Sequence, residues 1–142
     1  KNVVDDLFPE RSIGQALIEQ MVAKGRRIYL LTKFLPYTPE YECMGYTQQQ
    51  MENSYKNEAV IWDFFLNNGL LNISDQNMVK DYIGESPKTQ ELGEDAPGNL
   101  GTFAGLQIVK KYIEKNPETT LDNLMKMDAR VIYNGSKYKP RP

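Results

Sequence analysis

The stretch that decides the fold is GEDAPGNLGTFAGLQIVKKYIEKN, residues 93–116. Four glycines fall within its first thirteen residues, and an apolar run rich in lysine follows them. Glycines before a helix can form a loop that cradles a phosphate, whereas glycines within a helix let a neighbouring backbone approach closely. The first arrangement would indicate a nucleotide-binding site, and the second would indicate close packing between helices.

Neither phosphate-binding motif fits this stretch. A Walker A loop needs Gly-Lys-Ser/Thr after its first glycine and four further residues. Gly98 follows Gly93 at that spacing, but Asn99 and Leu100 stand where the motif requires lysine and a hydroxyl residue. The dinucleotide fingerprint needs Gly-x-Gly-x-x-Gly directly after a strand, and here a polar segment with other glycine spacing precedes the run. The sequence therefore does not predict a phosphate site.

Helical geometry explains the glycine spacing. At about 100° per residue, Gly98, Gly101 and Gly105 lie within roughly 60° of each other on a helix. Asp95 suits the N-cap and Pro97 the first turn of that helix. Each interior glycine costs on the order of 1 kcal/mol relative to alanine, so a close contact should offset the cost. The three glycines leave one face of the helix without side chains. Two interpretations stay open: this glycine face packs against another helix, or it forms one wall of a groove.

The rest of the chain also reads as helical. Apolar spacing, capping residues and prolines predict helices over residues 10–35, 47–69, 75–84, 97–116 and 120–127, with a further turn or helix over 128–134. Residues 36–46 are predicted to be a loop, and residues 134–142 a flexible basic tail. No strand-like alternation persists for more than a few residues. We predict a mainly α fold, a single compact multi-helix domain over residues 1–142.

Two charged residues interrupt apolar helix faces. Lys24 lies in the apolar stripe of the first predicted helix, and Glu58 lies in that of the second. An isolated buried charge is very costly, so either each side chain bends to solvent at a groove edge or the two face one another or share a polar cleft. We predict the second arrangement. The candidate groove residues are Lys24, Gly25, Glu58, Trp62, Gly101, Gly105 and Tyr112.

Composition limits the possible functions. Lys and Arg total 17 and Asp and Glu 19 among 142 residues, so the net charge of −2 gives no electrostatic case for nucleic-acid binding. No apolar run is long enough to span a bilayer, and the first residues lack a signal-peptide pattern. There is no histidine and one cysteine, Cys43, which excludes histidine-dependent nucleophilic sites and His or Cys zinc sites built from this chain alone. We predict no catalytic residue, metal or cofactor.

Four segments carry a resemblance to a known family. They occur in one order: GRRIYLLTKFLPYTP (25–39), NEAVIWDFFLNNGLL (57–71), APGNLGTFAGLQIVKKYIEKNP (96–117) and SKYKP (136–140). Together they resemble the GldB-like gliding-motility lipoproteins of Bacteroidetes over nearly the whole chain. That family is similar to predicted zinc peptidases, so the resemblance implies the C-terminal helical part of a zincin-like fold within a longer domain.

The resemblance also implies a location and a departure from the family pattern. The family's members are exported lipoproteins, periplasmic or associated with the outer membrane, so the lipid-bearing cysteine and any HExxH motif are expected upstream of residue 1. Membrane contact is expected only through that upstream lipid anchor. The Lys24-Gly25 step resembles the place of the acidic-Gly pair in the peptidases. A lysine ammonium is a donor and not a metal ligand, so this position departs from the zinc-binding pattern.

The sequence is compatible with three functions. The leading one is a non-catalytic exported lipoprotein domain that binds a protein or peptide partner in the cell envelope. The alternative is the C-terminal part of an active zinc metallopeptidase, with Glu58 near the metal. The third is a hydrolase that pairs Glu91 with Asp95 or Glu58. The sequence leaves open the ligand, the oligomeric state and whether the host glides.

Overall fold

The protein is an assembly of helices around the glycine-containing stretch. The structure, a computed structural model, describes residues 15–83 and 98–140. Within these ranges there is no strand, which confirms the prediction of a mainly α fold in one compact domain. In chain order the elements are α1 (Leu17–Phe34), α2 (Glu40–Met44), α3 (Gln48–Lys56), α4 (Glu58–Asn67), a 3-10 turn (Leu70–Asn72), α5 (Gln76–Ile83), α6 (Leu100–Lys115), α7 (Leu121–Lys126) and α8 (Ala129–Ser136).

Helix α6 is the centre of the core. Its ten consecutive residues from Leu100 to Val109 are all buried, and α1, α4, α5 and α8 pack around it. A helix that is buried on every side must be apolar or small all round and not on one stripe alone. In the ranges that the structure describes, no helix combines the length and apolar character needed to cross a bilayer.

Helices α1 and α6 touch through their backbones. Gly25 and Gly105 are both buried at this crossing. A Cβ atom added to Gly105 would overlap the carbonyl of Met21, and one added to Gly25 would overlap the backbone of Gly105. Gly101 faces α5 instead, where an added Cβ would lie 2.6 Å from the carbonyl oxygen of Tyr82. These contacts support the first interpretation of the glycine face, in which it packs tightly against neighbouring helices.

Local signals place several helix ends where the sequence predicted them. The Thr47 hydroxyl accepts from the Gln50 N–H at 3.1 Å while the Gln50 side chain accepts from the Thr47 N–H at 2.9 Å, which is the predicted capping box. The Thr120 hydroxyl caps α7 by accepting from the Asn123 N–H. Gly69 adopts a left-handed φ of 62° just after α4, a conformation that glycine reaches without steric cost.

Four helix boundaries differ from the prediction. The first helix is predicted from residue 10, but α1 begins at Leu17, and residues 15 and 16 before it are not helical. Asn99 has a left-handed φ of 63°, so α6 begins at Leu100, whereas the predicted capping residues Asp95 and Pro97 lie outside the described residues. Five residues of the predicted loop 36–46 form α2. The predicted helix from residue 47 is divided at Asn57, which leaves helical geometry with φ −108° and ψ 21°. Local contacts accompany two of these differences: Pro39 is the N-cap of α2, and the Asn57 N–H and side-chain amide both donate to the Asn53 carbonyl.

Arginines attach the last two helices to α1. The Arg26 Nη1 atom donates to the carbonyl oxygen of Met127 at 2.6 Å, just past the end of α7. Such a donor satisfies a backbone acceptor that the helix itself cannot. Arg130 of α8 forms an ion pair with Glu19 in the first turn of α1, at 3.7 Å. The two contacts fold the C-terminal region back across α1.

The C-terminal segment contacts α4. Residues 134–136 form the last turn of α8, and the Tyr138 hydroxyl donates to Glu58 Oε2 at 2.6 Å. These contacts place the described part of the predicted tail against α4, and its flexibility stays a prediction. The aromatic ring of Tyr138 supplies apolar contact area, a feature that a count of basic residues overlooks.

Replacing Gly105 by alanine should destabilise the fold by about 2–3 kcal/mol, because the helix–helix backbone contact must open to admit a methyl group. Gly135→Ala is the matched control. Its Cβ would meet the edge of the Tyr112 ring at 2.7 Å, and a side chain can shift where a backbone cannot, so the loss should be within about 1 kcal/mol. Urea unfolding of both variants measures the difference. Equal stabilities would contradict the backbone contact.

Candidate functional site

A carboxylate at the start of α2 organises the most polar cluster of the described core. Glu40 Oε1 accepts a hydrogen bond from the Tyr55 hydroxyl at 2.6 Å, and its other oxygen forms an ion pair with Lys110. Lys110 Nζ donates to the Tyr55 oxygen at 2.8 Å, and Gln107 Nε2 approaches it at 3.4 Å. We call Glu40, Tyr55, Gln107 and Lys110 the Glu40 network.

The helices explain why these four residues meet. Gln107 and Lys110 are three residues apart on α6 and therefore share a face. Tyr55 lies on α3 with its ring edge-on to Phe103 at 5.3 Å between centroids, and Lys110 Nζ lies 5.4 Å from the Tyr55 centroid. The side chains of Lys110 and Glu40 retain 38% and 27% exposure. The network is thus a half-buried seam between α2, α3 and α6.

A second cluster joins the C-terminal segment to α4. The Tyr138 hydroxyl donates to Glu58, and its ring meets Trp62 edge-on at 4.9 Å between centroids. Tyr133 lies 6.1 Å from Trp62 on another side. Trp62 is only 3% exposed, so these rings fill the space between α4 and α8. We call Glu58, Trp62, Tyr133 and Tyr138 the Glu58 cluster.

The pKa of three groups in these clusters moves further from neutral pH. Burial, followed by the hydrogen bond to Glu40, raises the pKa of Tyr55, and burial followed by Glu58 raises the pKa of Tyr138. Burial lowers the pKa of Lys110, but its contacts with Glu40 and Tyr55 outweigh burial, so the net shift is upward. At neutral pH the phenols are neutral donors and Lys110 is an ammonium. Neither tyrosine is therefore poised as a general base.

The predicted groove residues fall into separate environments. Gly25, Gly101 and Gly105 are packing contacts of the core. Tyr112, half-buried, faces Gly135 of α8.

The predicted meeting of Lys24 with Glu58 is not an ion pair. Glu58 is half-buried against Tyr138. Lys24 is also half-buried, on α1, and within the described ranges no hydrogen bond or ion pair engages its ammonium. A cleft shared by the two side chains remains a prediction.

The described residues contain no group of three His, Cys, Asp or Glu side chains that could hold a metal ion. Cys43 is buried, and burial together with Glu40 and Glu42 raises the pKa of its thiol. Glu91 and Asp95, the acids of the hydrolase hypothesis, lie outside the described residues, so that hypothesis is untested.

A comparison with protein-family models identifies the family to which the chain belongs. Residues 1–140 match the model described as gliding motility protein GldB. The chain belongs to the GldB family. The family model is one of lipoproteins, which agrees with an envelope location, and it supports the resemblance drawn from the four ordered segments. No curated protein and no solved structure matched the chain.

For this GldB-family chain, sequence reasoning missed the Glu40 network. In the sequence, Tyr55 falls on the apolar face of the second predicted helix, and Glu40, Gln107 and Lys110 belong to no motif. Lys110 is 70 positions from Glu40, and only the folded chain brings the two side chains together. The spacing of Gln107 and Lys110 on one face of an otherwise apolar helix was the available signal.

Alkaline titration should reveal the buried phenols. A folded-state pKa raised above the unfolded one contributes stability that is complete below about pH 10 and is lost as pH rises. The free energy of unfolding should therefore fall above that pH by up to about 1.4 kcal/mol per pH unit for each such tyrosine. Tyr55→Phe should flatten this fall.

Tyr37→Phe is the control for that titration, because Tyr37 is 98% exposed and its hydroxyl meets solvent in both states. Urea unfolding over a series of alkaline buffers measures the slopes. If Tyr55→Phe and Tyr37→Phe gave the same slope, the protonated phenol of the Glu40 network would be disproved.

Proposed function

We propose that this chain is the envelope domain of a non-catalytic, lipid-anchored GldB-family protein that acts by binding a protein or peptide partner. The observation that carries the proposal is the family match over residues 1–140. The family's description gives the process as gliding motility, and the proposal extends to other work in the envelope. No cofactor enters the proposed mechanism.

The state of the polar residues supports a non-catalytic role. In the Glu40 network, the carboxylate, the phenol and the ammonium satisfy one another. A catalytic base or nucleophile needs a pKa adjusted toward the working pH, whereas the Tyr55 pKa moves away from it. Such a cluster fastens helices together. Lys24, at the position that resembles a metal-ligand site, carries a donor and no lone pair.

Lys24 also supports partner binding. Its side chain is half-buried on α1, and a cation in that setting gains most from an opposite charge because solvent screens the interaction less. Neither ion pair nor hydrogen bond inside residues 15–83 and 98–140 supplies that charge. We therefore assign Lys24 as the contact for an acidic group of the partner.

Purified full-length protein should contain far less than one zinc ion per chain, since the function proposed here uses no metal. Inductively coupled plasma mass spectrometry of protein isolated from host membranes, without chelators, measures the content. The Lys24→Gln variant serves as a comparison and should give the same value. Stoichiometric zinc would overturn the non-catalytic proposal and favour the metallopeptidase alternative.

A photo-reactive phenylalanine analogue in place of Lys24 should crosslink to one discrete partner in living cells. The matched control is the same substitution at Lys126, which is 69% exposed and paired with Asp122 on its own helix. Mass spectrometry of the product identifies the partner and the crosslinked residue. No product at position 24, or the same product at both positions, would count against Lys24 as the contact.

A further inference from the structure

The connection between α1 and α2 exposes an unusual amount of apolar surface. Phe34 is 41% exposed, Leu35 is 44% exposed and Tyr37 is 98% exposed. We call residues 34–37 the apolar loop. The other large apolar side chains that are exposed within the described ranges lie singly or two turns apart: Val60, Leu66, Met78 and Val131. Single exposed residues need no explanation, whereas three within four positions indicate a contact surface.

The backbone of the apolar loop is largely satisfied from within. The Leu35 N–H donates to the Leu31 carbonyl at 2.9 Å, and the Thr38 N–H donates to the Leu35 carbonyl at 2.9 Å. The two prolines of the segment have no N–H. Within residues 35–39, Tyr37 thus carries the one backbone donor for which the described structure shows no acceptor.

This donor pattern separates two kinds of partner. A protein partner that adds an extended segment to its own sheet binds it through the segment's free backbone N–H and C=O groups. The hydrogen-bonded turn of the apolar loop has few free N–H groups for such binding. Lipid has the opposite requirement, since an unpaired backbone donor is costly in an apolar medium. The Tyr37 N–H must therefore stay at the level of the headgroups, where water and ester oxygens accept its hydrogen bond, while the ring reaches the apolar side. The turn also projects the Tyr37 ring outward as a convex tip. Aromatic rings of this amphipathic kind concentrate at the membrane–water interface.

The charges beside the apolar loop complement a phospholipid surface. The nearest charge before it is Lys33, whose exposed ammonium lies 5.0 Å from the Tyr29 ring centroid. The nearest acid after it, Glu40, is neutralised by Lys110. Glu42, two residues further on, is exposed. Lys33 is therefore the charge nearest the tip and favours contact with anionic headgroups, whereas Glu42, farther along the chain, opposes it.

We propose that the apolar loop inserts Phe34, Leu35 and Tyr37 into the interfacial layer of a bilayer, with Lys33 at the headgroup phosphates. The proposal rests on the envelope function above, in which a lipid anchor keeps the domain beside a membrane. The loop then acts as a second point of attachment. Two attachment points fix which side of the domain faces the membrane, which a flexible anchor alone does not.

Flotation with vesicles tests the proposal. The 142-residue chain without an acyl group should float with phosphatidylcholine vesicles that contain a minority of phosphatidylglycerol, and less with pure phosphatidylcholine. Tyr37→Asp should reduce partitioning about tenfold, because burial of one large apolar side chain contributes roughly that factor. Val131→Asp, at another exposed apolar position on α8, is the control and should float like the original chain.

Fluorescence supplies an independent readout. A Tyr37→Trp variant should show a blue-shifted emission and quenching by brominated lipid on addition of vesicles. The native Trp62 is 3% exposed, so its emission should remain constant and can be subtracted. Because Tyr37 lies in solvent, these substitutions leave the core intact, and circular dichroism confirms that each variant folds.

Two results would overturn the proposal: no flotation of the original chain with either vesicle, or equal flotation of Tyr37→Asp. A crosslink from position 37 to a protein, without flotation, would assign the apolar loop to a protein partner instead. None of these results bears on the acyl anchor or on Lys24, because the flotation assay contains neither the anchor nor the partner. Failure here is therefore distinct from failure of the proposed envelope function.

Discussion

The backbone contact between α1 and α6 is the constraint on which the rest of the structure depends. Gly25 and Gly105 place the two helices closer than any pair with Cβ atoms at the crossing would allow. The close approach brings the neighbouring apolar residues of both helices into the same core. Dispersion contacts between such surfaces are individually small but sum to a large term, which offsets the helix-propensity cost of the glycines.

Burial of α6 then determines where polar chemistry can occur. From Leu100 to Val109 the helix is enclosed, so its charged side chains can reach solvent only beyond that segment. Lys110 is the first residue past it and meets Glu40 there. The position of the Glu40 network therefore follows from the point at which the buried segment of α6 ends. The hydrogen bonds and ion pair of the network join α2 and α3 to α6, and the raised pKa values of Tyr55 and Lys110 keep both groups protonated at neutral pH.

The family match and this internal pairing point the same way. In this GldB-family chain, the half-buried carboxylates of Glu40 and Glu58 each accept from a tyrosine hydroxyl, and Glu40 also pairs with an ammonium. The third half-buried carboxylate that the structure describes, Glu19, pairs with the Arg130 guanidinium, and the proposed non-catalytic role agrees with this pairing. Two features at the surface of the chain are proposed for interaction: the half-buried side chain of Lys24 and the exposed side chains of residues 34–37. Electrostatics would govern contact at the first, and apolar burial would govern contact at the second.

Much of the secondary structure was predictable because its causes are local. The Thr47–Gln50 capping box, the Thr120 cap and the left-handed Gly69 each depend on residues within one turn. The predictions differ from the structure at two places in particular. Helix α2 forms in a proline-rich segment, and Asn57 interrupts a continuous helical pattern.

The helical class, many helix ends, the family and a close approach at the glycines can be predicted from the residues alone. The helix that meets each glycine and the pairing of the charges follow only from the folded structure. Lys110 with Glu40, and Tyr138 with Glu58, join residues 70 and 80 positions apart. No local pattern encodes such pairs, because their contact energy arises only after the chain has folded. The glycine spacing predicted a close helix contact, and the folded structure shows that α1 and α5 make it.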